Sequence, residues 1–234
     1  MLYEAGLTSR MIPGPMTLKK ALANAAFPNP VPFLEKINWN ARANKWRSEN
    51  AGMPVFADRN RLYNHLGGLI GDQAIDYLEF GVFRGESMKH WVGLNGNANS
   101  RFTGFDTFTG LPEKWLEFDQ GAFDTGGALP DIRDPRVRFV KGIFQDTLYG
   151  FLRDFTPRQQ LVIHVDSDLF SSALFVLCAM DRVISPGTII LFDEFASLMD
   201  EFRAWHEYLL AFRRSAEALA RTASSDQVAF RIES

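Results

Sequence analysis

Acidic residues follow directly after apolar segments at four places in this sequence. The segments read as strands, and the carboxyl ends of parallel strands meet at one edge of a sheet, so these acids should converge there. Grouped carboxylates can accept hydrogen bonds from hydroxyls, bind a hard cation such as Mg²⁺ or take up a proton during a reaction. Each acid alone is equally well explained as a helix N-cap or turn residue. The residues concerned are Glu79, Asp106, Asp166 with Asp168, and Asp193 with Glu194.

Two glycines four residues apart follow the first of these strands. The segment 75–80 contains Glu79 and continues through Gly81 and Gly85 into a predicted helix. Because glycine has no Cβ, the backbone there can approach a bound nucleoside closely. The spacing differs from the dinucleotide fingerprint, and no Gly-Lys-Ser/Thr ending for a triphosphate is present, so an ordinary strand-to-helix turn is the alternative. The predicted ligand-binding residues of this segment are Glu79, Gly81, Phe83, Gly85 and Ser87.

Two further segments could contact the same nucleoside. Asp106 ends the second strand, where a carboxylate can accept hydrogen bonds from both ribose hydroxyls; a turn residue is the alternative. Phe144 and Gln145 follow the third strand and could pack against and hydrogen-bond an adenine. For this pair the alternative is core packing and a helix cap.

Strand and helix patterns alternate from Asp58 onwards. Because the strands are apolar on both faces, they predict an α/β fold, a doubly wound, Rossmann-like and mostly parallel sheet covered by helices. Ser171 is a predicted N-cap of one such helix. We expect residues 1–57 to form an N-terminal helical arm or cap and residues 58–234 to form the main domain. The predicted strands are 75–80, 101–106, 136–140, 161–165 and 188–192, with a closing pair at 216–223 and 227–232.

The composition excludes several classes of protein. A chain of 234 residues with 46% hydrophobic residues can bury a full core, and its net charge of −3 argues against a nucleic-acid partner. The lone cysteine, Cys178, excludes an intrachain disulfide and fits a reducing compartment. Residues 1–20 include Pro13 and Pro15 and do not read as a signal peptide, and no segment reads as a membrane span. We therefore expect a cytoplasmic protein with no membrane partner.

Four motifs in order resemble a class I S-adenosylmethionine-dependent methyltransferase, and more narrowly the macrocin O-methyltransferase family of sugar methylases. They are LEFGVFRG at 78–85, GFDTFTGLPE at 104–113, IHVDSDLF at 163–170 and PGTIILFDE at 186–194. The resemblance implies a seven-stranded sheet with an antiparallel last strand, a Mg²⁺ ion and methyl transfer to a hydroxyl. The chain departs from the family at Phe170, where tyrosine is usual, and at Glu194, where aspartate is common.

The acids can be given roles in such a reaction. The sulfonium donor already carries an activated methyl group, so the protein must align it with a nucleophile and make that nucleophile more anionic. We predict Asp166, Asp193 and Glu194 as Mg²⁺ ligands and Asp168 as the general base, with Asp166 also beside the cofactor. His164 and His206 are rival bases, although His164 lies inside a strand and is more simply a core histidine.

Several alternatives stay open at the level of sequence. A metal-independent methyltransferase would use the acids only as caps, and a noncatalytic module would bind the cofactor without turnover. The acceptor is expected to be a small hydroxylated molecule, a sugar or glycosylated natural product, and the arm could serve a homo-oligomer. The segment 111–130 is rich in glycine, proline and acids, so we expect a mobile lid that becomes ordered over the cofactor.

Overall fold

The computed structural model describes residues 30–234. Residues 1–29, which include the stretch weighed as a signal peptide and part of the predicted arm, lie outside the described residues. The helices are α1 (Pro30–Glu49), α2 (Arg59–Ile70), α3 (Glu86–Leu94), α4 (Phe144–Asp154), α5 (Phe170–Met180) and α6 (Glu201–Phe212). The strands are β1 (Val55–Phe56), β2 (Ile75–Phe80), β3 (Arg101–Asp106), β4 (Val137–Lys141), β5 (Gln160–Val165), β6 (Ile189–Phe192), β7 (Ala216–Thr222) and β8 (Val228–Ile232).

The strands form one sheet in the order β1-β7-β8-β6-β5-β2-β3-β4. All neighbouring strands are parallel except β8, which runs antiparallel to both β6 and β7. The predicted α/β class and the antiparallel last strand are therefore confirmed. The expected count of seven strands misses one, because the two-residue β1 pairs with β7 and adds an eighth strand at the edge. A segment this short carries no alternating pattern from which a strand could be predicted.

Two hydrophobic layers cover the sheet, one on each face. Alternate side chains of β2 enter different layers, as the period of two in a strand requires. Ile75 and Tyr77 pack beneath α2 and α3, whereas Leu78 and Phe80 pack beneath the helices of the other face. Glu79 has the same parity as Tyr77 and therefore points toward α2 and α3. This orientation decides its environment in the site.

The N-terminal helix α1 packs on the same core as α6. Trp39 and Ala43 of α1 are buried, and the Trp39 ring meets Phe202 edge-on at a centroid distance of 6.2 Å. Trp46 lies against Phe195 at 5.1 Å. The division of the chain at residue 57 stays a prediction. Between residues 30 and 234, no helix combines the length and hydropathy needed to cross a bilayer.

The start of α5 differs from the prediction. The helix begins at Phe170, its N-cap residue is Leu169, and no side chain caps it. Ser171 therefore lies inside the first turn, and its hydroxyl instead donates to Glu113 at 2.5 Å. The prediction of a Ser171 cap is wrong because a tertiary partner takes the hydroxyl that a local cap would use.

Candidate active site

A cleft of about 380 Å³ opens at the carboxyl ends of β2, β3, β5 and β6. Its position agrees with the general rule for ligand sites in open α/β sheets. The acids predicted from the strand ends converge there with the exception of Glu79. The predicted site residues that line the cleft are Gly81, Phe83, Asp106, Phe144, Gln145, Asp166, Asp168, Asp193 and Glu194.

The glycines after β2 are required by contacts within the protein. Gly81 has φ of +93°, and a Cβ placed on it would lie 1.6 Å from the carbonyl oxygen of Asp166. Gly85 has φ of +73°, and its Cβ would lie 2.8 Å from Cβ of Pro130. The sequence explained both glycines by a close ligand. The structure supplies a second reason, which is the close packing of the turn against the end of β5 and the loop before β4.

Glu79 and Ser87 lie behind the cleft wall. Both are buried, and Glu79 accepts hydrogen bonds from Ser87 Oγ at 2.5 Å and from Tyr77 Oη at 2.8 Å. Burial raises the pKa of Glu79, although the charge of His164 and the two hydrogen bonds oppose this. Their position fits a positioning role, because the pair ties the first turn of α3 to the end of β2. Neither these two residues nor Gly85 lines the cleft.

Asp106 lines the cleft and also holds the glycine turn. Its Oδ2 accepts from the backbone amides of Val82 and Phe83 at 2.7 and 2.8 Å, and its Oδ1 accepts from the amide of Phe108 at 2.6 Å. A carboxylate has about four lone-pair sites, so these three amides leave about one site, on Oδ1, for a ligand hydroxyl, and Thr107 Oγ1 lies 3.4 Å from the same oxygen. Both readings offered by the sequence, turn residue and ribose acceptor, are compatible with this geometry.

Phe144 and Gln145 form the first turn of α4 and border the same cleft. The Phe144 ring meets Phe80 edge-on at 5.5 Å and is largely buried, although the residue still borders the cleft. An aromatic edge beside an amide side chain suits a planar, hydrogen-bonding base.

The acids after β5 and β6 crowd together on the floor of the cleft, and burial and mutual repulsion change their pKa values. Burial and the neighbouring Asp193 raise the pKa of Asp168 to about 7, and the same two causes raise the pKa of Glu194 to about 7. Asp166 is affected more, because burial and then Asp193 and Asp168 raise its pKa well above the usual range. Asp168 itself has φ of +60°, a left-handed conformation that is uncommon outside glycine and often marks functional sites.

Asp193 differs from its neighbours because it has partners on several sides. Its Oδ1 accepts from Tyr63 Oη at 2.9 Å and lies 3.4 Å from His164 Nε2, and its Oδ2 lies 3.5 Å from Arg59 Nη1. Burial alone would raise the pKa of Asp193, but His164, Tyr63 and Arg59 together lower it. Among the acids after β5 and β6, Asp193 is therefore the one that the protein holds in its charged form.

The donor set fits a hard divalent cation. One ligand atom each of His164, Asp166 and Asp193 lies within 4.8 Å of the other two. His164 Nδ1 is 2.8 Å from Tyr77 Oη, while His164 Nε2 is buried without a hydrogen-bond partner among the described residues. The sequence predicted Glu194 as the third ligand. The geometry groups His164 with Asp166 and Asp193, and Glu194 lines the same cleft, so its role as a ligand stays a prediction.

Some residues of the site escaped the sequence reasoning. Glu201, the first residue of α6, is fully buried and accepts from the backbone amides of Ser167 and Glu194 at 3.2 and 2.9 Å, which fixes the two acidic loops. Arg59 and the aromatic residues Trp115, Phe118 and Phe123 also line the cleft. The aromatic residues of the loop after β3 could have been noticed in the sequence as candidates for the site. Glu201 and Arg59 could not, because their contacts join segments that are far apart in the chain.

The doubly wound sheet and its acid-lined cleft define a Rossmann-like enzyme fold with the ligand site at the strand ends. Residues 78–195, half of the chain, match the methyltransferase domain family, and the chain belongs to that family. The resemblance to class I methyltransferases predicted from the four motifs is thereby confirmed.

The relatives include sugar methyltransferases. Over 158 residues the chain is 31% identical to 8-demethyl-8-(2,3-dimethoxy-alpha-L-rhamnosyl)-tetracenomycin-C 4'-O-methyltransferase of Streptomyces olivaceus, a match that spans 57% of each chain. Among solved structures, the O-methyltransferase NovP is 21% identical with a TM-score of 0.58, over 75% of this chain and 80% of NovP. The calicheamicin methyltransferase CalS11 is 20% identical with a TM-score of 0.56, over 99% of both chains. At these identities the two structures establish the shared fold.

Proposed function

We propose that this protein transfers the methyl group of S-adenosylmethionine to a hydroxyl of a small sugar or glycosylated natural product. The observation that carries the proposal is the cluster of four acids on the cleft floor, Asp166, Asp168, Asp193 and Glu194, in the same cleft as Asp106 and the glycine turn. The match to a rhamnosyl O-methyltransferase supports the choice of acceptor class.

The cofactor is proposed to lie along the cleft from α4 to the end of β5. Phe144 and Gln145 would contact the adenine, Asp106 the ribose, and Asp166 the amino-acid end. Phe83 would lie beneath the ribose, and Gly81 would lie beneath the sulfur that carries the methyl group. Glu79, Gly85 and Ser87 would act from behind the wall by holding the turn in place.

Asp168 is proposed as the general base. Its carboxylate borders the cleft, and a pKa of about 7 is well matched to proton transfer near neutral pH. Asp168 would take the proton of the acceptor hydroxyl while the oxygen forms a bond to the methyl carbon. In the same displacement the carbon–sulfur electron pair would leave with the sulfur as a neutral thioether, so Asp168 would hold the proton and the product would be a methyl ether.

A Mg²⁺ ion would be held by Asp166 and Asp193, with Glu194 or His164 completing the protein ligands. When bound, it would orient the acceptor hydroxyl and lower its pKa. Asp193 would then be the anchoring ligand because its partners already keep it charged.

A metal-independent methyltransferase is the second candidate. Arg59, His164 and Tyr63 already surround Asp193, so part of the negative charge of the floor is balanced by the protein itself. A chelator separates the two candidates, since only the first loses activity in EDTA.

The loop after β3 supports a small acceptor. Trp115 and Phe118 stack at a centroid distance of 5.6 Å, and Phe123 lies 5.0 Å from Phe118. Such an apolar wall suits the carbon face of a sugar ring, while the net charge of −3 does not suit nucleic acid. We also propose a cytoplasmic location, which fits the lone cysteine of the chain, and leave a homo-oligomer as a prediction.

The test is methyl transfer from S-adenosylmethionine to a panel of rhamnosides and other glycosides, followed by mass spectrometry in EDTA and across a Mg²⁺ titration. We expect addition of one methyl group to an oxygen, dependent on Mg²⁺. Full activity in EDTA would select the metal-independent candidate. Failure to bind S-adenosylhomocysteine in calorimetry would reject both.

A further inference from the structure

Arg59 is the one basic residue among those that line the cleft in the described part of the chain. The ionisable groups of the lining are otherwise five acids, so this guanidinium is the one lining group with a permanent positive charge to offer to a ligand carboxylate. The acids are Asp106, Asp166, Asp168, Asp193 and Glu194.

The guanidinium of Arg59 connects three elements of the site. Arg59 is the first residue of α2, its Nη1 lies 3.5 Å from Asp193 Oδ2, and its Nη2 lies 3.2 Å from Oε2 of Glu86, the first residue of α3. Burial is the largest single influence on Arg59 and opposes its charge, but Asp193 together with Tyr63, Asp166 and Glu86 outweighs it, and the pKa is raised. The group is therefore a permanent cation at the end of the cleft nearest β6.

Arg59 has two acidic partners, Asp193 and Glu86, and a ligand carboxylate could replace Glu86 with little loss of free energy. The Glu86 side chain is 73% exposed, and ion pairs at such positions contribute little. The Arg59 side chain is itself 39% exposed, so its outer edge is available to a ligand. A guanidinium presents several donors in a plane, which lets it bind a new carboxylate while keeping Asp193.

The proposed donor has two charged groups at its amino-acid end. If Asp106 and Gln145 hold the nucleoside, the amino-acid end points past Gly81 toward the ends of β5 and β6. The ammonium can pair with an acid of the floor, but the α-carboxylate needs a cation. We infer that Arg59 binds the α-carboxylate of S-adenosylmethionine. This inference depends on the proposed function.

The test compares two ligands by calorimetry on the parent protein and three variants, of which Arg59→Lys keeps the positive charge. S-adenosylhomocysteine carries the amino-acid end, whereas 5′-methylthioadenosine has the same nucleoside without it. The other two variants are Arg59→Gln and the control Arg61→Gln, whose side chain is 69% exposed and pairs with Asp58 outside the cleft. Thermal melts check that each variant is folded.

Arg59→Gln is expected to weaken S-adenosylhomocysteine by about 10–100-fold, the range for a charge-assisted hydrogen bond. Affinity for 5′-methylthioadenosine should change less than about twofold, Arg59→Lys should recover part of the loss, and Arg61→Gln should change neither ligand.

Three results would overturn the inference. An equal loss for both ligands would mean that Arg59 shapes the cleft, and no loss for either would mean that it does not contact the cofactor. Unchanged S-adenosylhomocysteine affinity with a raised KM for an anionic acceptor would assign Arg59 to the acceptor. A parent protein that binds neither ligand would reject the proposed function as well, which distinguishes the two failures.

Discussion

The carboxylates of the cleft differ in what the protein already does with them. Asp106 accepts three backbone amides, and Asp193 is surrounded by Tyr63, His164 and Arg59. The Asp168 carboxylate has no hydrogen-bond donor among the described residues. A carboxylate that supports no part of the fold is free to exchange a proton, and this separates the proposed base from its neighbours.

Asp168→Asn tests that assignment. We expect cofactor affinity to persist and the methyl-transfer step to slow by on the order of 10²–10⁴-fold, because the amide cannot accept the hydroxyl proton. Single-turnover kinetics across a Mg²⁺ titration provide the measurement, with the exposed Asp131→Asn as control. Excess Mg²⁺ should not restore the rate. A variant with parental turnover would remove Asp168 from the mechanism.

The raised pKa values also predict how stability depends on pH. Asp168 and Glu194 have pKa values of about 7 in the folded protein, above their ordinary values. Between these two pKa values the folded protein binds protons that the unfolded chain has already released. The free energy of unfolding that the two acids contribute is therefore fully present at low pH and is lost as the pH rises through about 7.

The parent should lose stability as the pH rises from 5 to 8, because Asp168 releases its proton. Asp168→Asn has no such proton, so its free energy of unfolding should increase relative to that of the parent over the same range. Urea denaturation in EDTA at several pH values measures the difference in free energy of unfolding. A constant difference across that range would contradict the raised pKa of Asp168.

At the scale of the element, the turn between β2 and α3 depends on residues far along the chain. Gly81 approaches the backbone of Asp166, and Gly85 approaches Pro130. The turn therefore assembles only when the end of β5 and the loop before β4 are in place.

Gly81→Ala should consequently destabilise the whole domain. The Cβ would overlap the carbonyl oxygen of Asp166 and would require φ of +93°, so we expect a loss of at least about 3 kcal/mol. Gly150→Ala in α4 is the matched control, since nothing lies within 4 Å of its Cβ and alanine favours helix. Chemical denaturation measures both. A Gly81→Ala protein of parental stability would show that the turn can move.

The loop after β3 is the element expected to respond to ligand. It is closed by paired backbone bonds between Leu111 and Ala122 and between Leu111 and Gly121, and Trp115 Nε1 donates to Asp200 at 3.2 Å. We expect residues 111–130 to gain protection from hydrogen exchange when S-adenosylhomocysteine binds. Trp115→Phe, which removes that donor, should reduce the gain. Equal protection with and without ligand would contradict a lid.

At the scale of the molecule, a buried ion pair at the amino ends of the strands faces away from the cleft. Asp76 is fully buried and accepts from Arg101 Nε and Nη2 at 2.6 and 2.7 Å and from the amide of Arg158 at 2.7 Å. It thereby joins β2, β3 and the segment before β5.

Asp76→Asn should destabilise the protein by about 2–3 kcal/mol, because it removes charge-assisted hydrogen bonds of a buried carboxylate, while the partner Arg101 is 34% exposed and keeps part of its hydration. The surface variant Glu217→Gln, which affects the exposed pair with Arg231, should cost less than about 1 kcal/mol. Urea denaturation compares the two. Similar losses in the free energy of unfolding would mean that the Asp76–Arg101 pair contributes no more to stability than the exposed Glu217–Arg231 pair.

The sequence by itself determined the alternation of strands and helices, the parallel sheet and the edge where its acids meet. These features follow from local periodicity and chain direction, which any segment carries within itself. Asp106, Asp166, Asp168 and Asp193 could be placed in the site for this reason, because each follows a strand end whichever strands are neighbours.

Only the tertiary structure decided which side chains enter the cleft. Glu79 ends a strand like the others, yet its parity points it toward α2 and α3, where Ser87 and Tyr77 bind it. Arg59 and Asp193 meet across 134 residues of sequence, as the numbering implies. Local pattern does not encode such contacts, since they depend on which face each helix covers and how closely distant segments pack.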